Sequence, residues 1–175
     1  MSAKDVIRRR RSIRAYAESK PSEESIQAVL EAGRWAPSGL NNQPWRFLVI
    51  EDDETREGLA RFTTYSETIR GAPVVIVVCM DLKASYNRDK DLMAMGAFIQ
   101  NMLLAAHELG LGACWLGEIL NRKIEVAAFL GLADNLELMA VVTMGHPAEE
   151  GGEGERMGLG ELEIKIGSRG KLENQ

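Results

Sequence analysis

Two stretches of this chain carry residue types whose spacing could do chemistry. The first is Arg8-Arg9-Arg10-Arg11-Ser12-Ile13-Arg14, five guanidinium groups in seven residues. Cations packed so closely repel one another unless an anion sits among them. Arginine's rigid fork matches phosphate oxygens in pairs, and a serine hydroxyl adds a further donor. A single phosphate-bearing ligand is the sharpest reading. A solvated basic face and a nucleic-acid or membrane patch are the alternatives, the latter weakened by the lack of interleaved aromatics. The second stretch is Ala36-Pro37-Ser38-Gly39-Leu40-Asn41-Asn42-Gln43-Pro44-Trp45. Two prolines stiffen this loop, Ser38 offers a hydroxyl, three successive amides follow, and Gly39 frees the backbone for close approach by a ligand. Amides both donate and accept, which suits the alternating edge of a heterocycle better than a metal. The same residue types also build ordinary loops, so their order carries the signal.

The remaining reactive side chains read as structural. Cys79 and Cys114 stand far apart, each in or beside an apolar run, and fit buried thiols in a reducing compartment. His107 reads as a packed or capped helical histidine, and His146 as part of a turn before Pro147.

These groups must be positioned by a chain of 175 residues with a net charge of −5, 45% hydrophobic and 27% charged. Such a chain buries roughly 70% of its unfolded surface and needs no disulfide or structural metal. Residues 1–175 read as one domain with an extended C-terminal arm from about residue 149. The acidic balance argues against a nucleic-acid partner. The start, Met1-Ser2-Ala3-Lys4-Asp5, lacks the apolar core of a signal peptide, and no apolar run is long enough for a membrane span. A cytoplasmic protein is expected.

The periodicities predict a short helix over Asp5 to Arg11. A second helix is capped by Ser22, with Ile26, Val29, Leu30 and Gly33 on its buried face. A strand follows from Trp45 to Ile50, then a helix from about Asp53 through Leu59 and Phe62. Val74 to Cys79 reads as a strand buried on both faces. Leu92 to Leu109 forms a long helix, apolar almost all round, which suits a subunit interface. Ala113 to Leu116 is a short strand. Asn121 caps a helix through Leu130, with Gly131 just beyond its end. Leu138 to Thr143 is a buried strand. Glu149 to Gly160 is a Gly- and Glu-rich connector, and Ile164 and Ile166 suggest an edge strand or an arm. The class is α+β around one sheet.

The paired motifs resemble the N-terminal signature of the nitroreductase family of flavoproteins, carried by Arg10 to Arg14 and Ala36 to Trp45. The resemblance continues through Ala72-Pro73, Gly110-Leu111-Gly112 with Cys114-Trp115, and Gly145-His146-Pro147. It implies a homodimeric α+β fold, with a mixed β-sheet surrounded by helices and FMN bound between subunits. It places Arg10, Arg11, Ser12 and Arg14 on the FMN phosphate and ribityl chain, and Pro37, Ser38, Gly39 and Asn41 on the flavin from the partner subunit. By position, Leu116, Gly117 and Glu118 lie along the reactive edge of the ring, and Arg169 completes the phosphate site. The implied activity is oxidation of NADH or NADPH and reduction of nitroaromatic, quinone or flavin-like small-molecule acceptors by a ping-pong mechanism. No side chain is assigned a catalytic role, since the cofactor carries the redox chemistry. An FMN-sequestering protein without turnover and a basic-arm nucleic-acid binder are the rival classes.

Overall fold

The computed structural model describes residues 1–164. Four strands, β1 (Trp45–Ile50), β2 (Val74–Asp81), β3 (Gly112–Leu116) and β4 (Leu136–Gly145), form one sheet in the order β1-β2-β4-β3. All three named pairings are antiparallel, with a register shift between Val78 and Cys79. Among the described residues the expected mixed character enters only through an isolated parallel bridge, Ser12 to Ala113, at the β3 edge.

The apolar run of β2 is explained by its place inside the sheet. Val74, Ile76, Val78 and Met80 face one layer, and Val75, Val77 and Cys79 the other. The first layer is built from α2 (Glu23–Arg34) and α5 (Arg88–Glu108), where Phe98 stacks on Trp45 with ring centroids 5.3 Å apart. The second comes from α3 (Asp53–Ala60), α4 (Ser66–Gly71), the 3₁₀ turn Glu118–Arg122 and α6 (Lys123–Leu130). As expected, Ser22 caps α2 by accepting from the Ser25 N–H, and the buried face of α2 is Ile26, Val29, Leu30 and Gly33.

Several boundaries differ from expectation. The first helix, α1 (Ala3–Arg9), begins earlier and stops sooner: Ser2 and Asp5 form a capping box, and Arg10 turns extended (φ −54°, ψ 130°). The chain leaves the helix there because Ile13 donates its N–H to Ala113 O at the sheet edge. α3 ends before Phe62, which packs on Phe129, and α4 follows where no helix was expected. α5 starts at Arg88, where Asn87 accepts from the Lys90 N–H; its polar first turn hides that start from any hydrophobic pattern. Asn121 caps nothing, because the 3₁₀ turn runs straight into α6 through Arg122, while Gly131 takes the left-handed conformation (φ 62°) that ends α6.

The expectation for α5 needs qualification. Its Ala94, Met95, Phe98, Ile99, Met102, Leu103 and Ala106 are buried in the chain's own core. Leu92 and Met93 stay exposed near its start. From Glu149 the chain is irregular until α7 (Leu159–Leu162), and Ile164 is 75% exposed outside any strand, so no edge strand forms there. Ile166 lies outside the described residues. Among the described residues no helix is long and apolar enough to cross a membrane.

Candidate functional site

The arginine motif lies along the outer edge of the sheet. Beyond α1 the chain runs extended past β3, tied by Ile13 N–H to Ala113 O at 3.1 Å, and Ala17 N–H reaches His146 O at 2.9 Å. Ile13 sits so close to β3 that a Cβ on Gly112 would lie 2.7 Å from it, so only glycine fits there. Tyr16 pins the segment from beneath. Its hydroxyl lies 2.5 Å from Ile13 O and 2.8 Å from Thr143 Oγ1 on β4. Burial raises the Tyr16 phenol well above its ordinary value, so it stays neutral.

This framing brings Arg10, Ser12 and Arg14 together over Cys114. Burial pushes the Cys114 thiol up, while Arg14, Ser12 and Arg10 oppose that shift from close by. Burial likewise holds the Arg10 guanidinium below its ordinary value, and the neighbouring cations Arg156 and Arg11 act in the same direction. Among the described residues none of Arg8, Arg9, Arg10, Arg11 or Arg14 forms an ion pair, whereas Arg34, Arg46, Arg56, Arg70, Arg88 and Arg122 each hold a carboxylate. A half-buried guanidinium pressed by like charges and lacking a carboxylate is the donor set that a phosphate group fits.

Arg11 is the exception within the motif. Its guanidinium donates to Arg8 O at 2.7 Å, Arg10 O at 2.8 Å and Gly152 O at 2.8 Å. It therefore clasps the segment after Glu149 to the end of α1, through Nε and one terminal nitrogen, a structural task beside the phosphate role expected of it. Gly151 and Gly154 let that segment close over Arg11, since a Cβ on either would collide with the Arg11 side chain. Glu149 adds a second tie by accepting from the N–H groups of Arg14 and Ala15 at 2.7 and 3.2 Å. The Gly-rich composition thus forms a strap that brings Arg156 beside Arg10, a residue that sequence reasoning missed. Arg169, the expected C-terminal cation, lies outside the described residues.

At the far end of β3, Leu116 buries its side chain and offers only backbone, whereas Gly117 is exposed with open space where a Cβ would be. The Glu118 carboxylate turns away to accept from Thr63 Oγ1 at 2.5 Å and Thr64 N–H at 3.1 Å. The Thr63 bond is the main cause that holds the Glu118 carboxyl below its ordinary value. Glu118 therefore secures the loop carrying Tyr65, whose ring lies 5.9 Å from the Arg14 guanidinium. Tyr65 is a second missed residue, and no local pattern marks it.

The amide-rich loop sits elsewhere. Gly39–Asn41 is a 3₁₀ turn beside the start of α5, ahead of β1. Leu40, Asn41 and Gln43 all take positive φ (55°, 55° and 46°), each costing about 1–3 kcal/mol for a non-glycine residue, with asparagine at the low end. Ser38 steadies the turn by accepting from the Gln43 N–H at 3.1 Å, and Arg46 donates to Gln43 O at 3.1 Å. The group that approaches Gly39 is the chain's own Tyr86 hydroxyl, which a Cβ would displace. Pro37 and Asn41 are exposed, and the Asn41 side-chain amide makes no hydrogen bond among the described residues.

The two halves of the sequence motif do not meet in one chain. The loop adjoins the start of α5, while His107 in its last turn feels Arg10, Arg11 and Arg9, after burial, as the causes that depress its pKa. A helix of 21 residues separates these ends by about 30 Å. They also flank opposite edges of the sheet, three strand spacings or about 14 Å apart.

An antiparallel sheet layered with helices, with a row of guanidinium groups along the β3 edge that no described carboxylate pairs, defines an α+β protein with a cationic edge. The nitroreductase family model matches residues 7–65 and 61–146, and the chain belongs to that family. It is 38% identical over 149 residues to an Archaeoglobus fulgidus protein that bears the provisional name NADH dehydrogenase/NAD(P)H nitroreductase, covering 83% of this chain and 85% of that one. The crystal structure of a provisionally named nitroreductase from Desulfovibrio desulfuricans, in complex with FMN, is similar at a TM-score of 0.89 and 50% identity, covering 92% of this chain and 94% of that one. The NADPH:FMN oxidoreductase of Vibrio harveyi, complexed with NAD+, is similar at a TM-score of 0.84 and 26% identity, covering 92% and 75% of the two chains.

Proposed function

We propose that this protein is an FMN-dependent oxidoreductase that oxidises NADH or NADPH and reduces nitroaromatic, quinone or flavin-like acceptors in a ping-pong cycle. The observation that carries this reading is the row of guanidinium groups that no carboxylate among the described residues pairs, set beside Cys114 at the edge of β3. The family membership and the FMN complex of a relative at 50% identity support the choice of cofactor. When bound, FMN supplies hydride exchange between the nicotinamide and the acceptor.

The chain's own part is binding and orientation. Arg10, Ser12, Arg14 and Arg156 hold the phosphate end, with the strap and Tyr16 fixing their backbone. The exposed backbone at Gly117, just past Leu116, offers a donor for developing negative charge. Pro37, Ser38, Gly39 and Asn41 act on the flavin of a second copy, because about 30 Å of α5 keeps them from the arginines of their own chain. A homodimer follows, and it would cover Trp35 and Leu40, which are 74% and 87% exposed. We further read residues 1–175 as one FMN-binding domain in the cytoplasm, consistent with two free buried thiols.

The test is a visible spectrum of the purified protein, identification of the chromophore after acid release, and NAD(P)H oxidation with a nitroaromatic acceptor. Yellow protein with about one FMN per subunit, and turnover well above that of free FMN, is the expected result. Protein that stays colourless in added FMN overturns the reading. Bound FMN without turnover leaves a sequestering protein.

A further inference from the structure

We infer that Asp91 is a positioning residue for cofactor binding, fastening the Gly39–Asn41 turn so that its tip is presented to the flavin of a second copy. This rests on the shared-site reading above and names a residue that it leaves out. Asp91 is fully buried at the start of α5, a place where an uncompensated carboxylate would not survive. It accepts from Asn42 Nδ2 and Ser85 Oγ, both at 2.7 Å, and from the backbone N–H groups of Tyr86 and Asn87 at 3.0 and 3.2 Å.

Those four donors tie the turn from two directions. Asn42 belongs to the amide-rich loop itself, directly after Asn41. Its Nδ2 also donates to Ala84 O at 3.0 Å, so both neighbours of that atom are acceptors and the orientation of the amide is forced. The consequence is visible at the other end of the amide, where Oδ1 is buried and no described residue donates to it. Asn42 is therefore held by its donor side alone. Tyr86 supplies the second tie: its N–H is bonded to Asp91, and its hydroxyl lies against Gly39.

Between these two anchors Leu40 and Asn41 are kept at positive φ, as is Gln43 just beyond them, a conformation that non-glycine residues leave unless the surroundings over-determine it. The anchored base contrasts with the tip, where Leu40 is exposed and the Asn41 amide makes no hydrogen bond among the described residues. A turn anchored at its base and strained at its tip, where it projects an amide with no hydrogen bond among the described residues, is built for contact with something outside the chain.

The test compares FMN dissociation constants of apo-protein, read from flavin fluorescence quenching at a temperature where circular dichroism shows each variant folded. The variants are Asp91→Ala, Asp91→Asn, Asn41→Ala, the Asp91→Ala/Asn41→Ala pair, and Val126→Ala. Val126 is buried in the layer on the other face of the sheet and serves as a control for general destabilisation. Asp91→Ala and Asn41→Ala should each weaken FMN binding roughly tenfold, and the pair no more than the worse single change, since both act through one tip. Asp91→Asn should recover part of the loss, because its oxygen still accepts from the Tyr86 and Asn87 N–H groups, and it stands in should Asp91→Ala not fold. Val126→Ala should lower the melting temperature and leave the dissociation constant alone.

Wild-type affinity in both Asp91 variants, with Asn41→Ala weakened, overturns the role of Asp91 and leaves the shared site standing. Unchanged affinity in Asn41→Ala removes the shared site, and the proposal falls with it. An equal shift in Val126→Ala reduces Asp91 to a merely structural residue.

Discussion

Removing one oxygen atom, in Tyr16→Phe, tests whether the anion motif is held by the sheet as described. The phenol hydroxyl bonds Ile13 O at 2.5 Å and Thr143 Oγ1 at 2.8 Å, and Thr143 is fully buried. In the variant the Ile13 carbonyl has lost its donor, and the Thr143 hydroxyl is left with Cys114 O at 3.5 Å. A buried polar group without a partner costs about 1–3 kcal/mol. One lost partner and one poor one set the expected loss at about 2 kcal/mol. For a chain of this length that is a fall in Tm of about 4–8 °C. Urea unfolding should show a lower midpoint with an unchanged slope. Ile13 lies between Ser12 and Arg14, so the variant should also bind FMN less well. The stability loss in saturating FMN should then exceed the loss in apo-protein by RT ln of the ratio of dissociation constants. A loss below about 0.5 kcal/mol would refute the hydrogen-bond argument. An equal loss with and without FMN would mean that the hydroxyl serves the fold but not the motif.

Other consequences can be checked alongside. Arg10→Ala combined with Arg14→Ala should strip FMN during purification while circular dichroism stays native, and full flavin occupancy would sink the phosphate assignment. Arg11→Ala should behave differently: loss of its bond to Gly152 O frees the strap, so limited proteolysis between Glu149 and Gly158 should accelerate, while FMN binding falls less than in the double variant. Glu137 accepts from Arg88 at 2.6 Å and Lys123 at 2.8 Å, and the Arg88 bond, against the opposing effect of burial, takes its carboxyl down to about 2. Its folded value lies below its unfolded one, so its contribution is complete above about pH 4.5 and is lost as pH falls towards 2. Both cations are about half exposed, which limits the contribution to about 1 kcal/mol. Glu137→Gln should flatten the acid limb of the stability curve by that amount, and an unaltered limb would show the pair to be idle.

The parts of this protein that were legible in its sequence are those set by local rules. β1 reads correctly because Trp45 to Ile50 is β-prone and bounded by Pro44, and α2 because Ser22 and its 3.6-residue stripe agree. Gly131 ends its helix for the reason its residue type suggests. What stayed hidden depends on partners far along the chain. Nothing local distinguishes Arg11 from Arg10, yet one clasps a carbonyl 141 residues away and the other has no carboxylate among the described residues. Glu118 reads only as a position along a ring edge, and that its carboxylate accepts from Thr63, 55 residues back, needs the fold. Asp91 looks like another polar residue before an apolar helix, and only the return of Asn42 to the start of α5 turns it into a buried fastener.

The spacing of the two motifs poses a sharper problem than any single residue. Residues 10–14 and 36–45 are close in sequence, and proximity alone would suggest one pocket in one chain. The fold forbids it. α2 carries the chain from the edge beside β3 to the start of β1, and α5 then lies between the two motifs as a rigid spacer about 30 Å long. Strained backbone and unpaired guanidinium groups are both costly features, and among the described residues each sits where no compensating partner is offered. On the proposed two-copy site a single ligand meets both, with its phosphate among the arginines of one protomer and its ring against the turn of the other. Affinity would then be the property of the pair. Dilution that dissociates the dimer should release FMN in step with it, and a monomer that keeps FMN with undiminished affinity would contradict the arrangement.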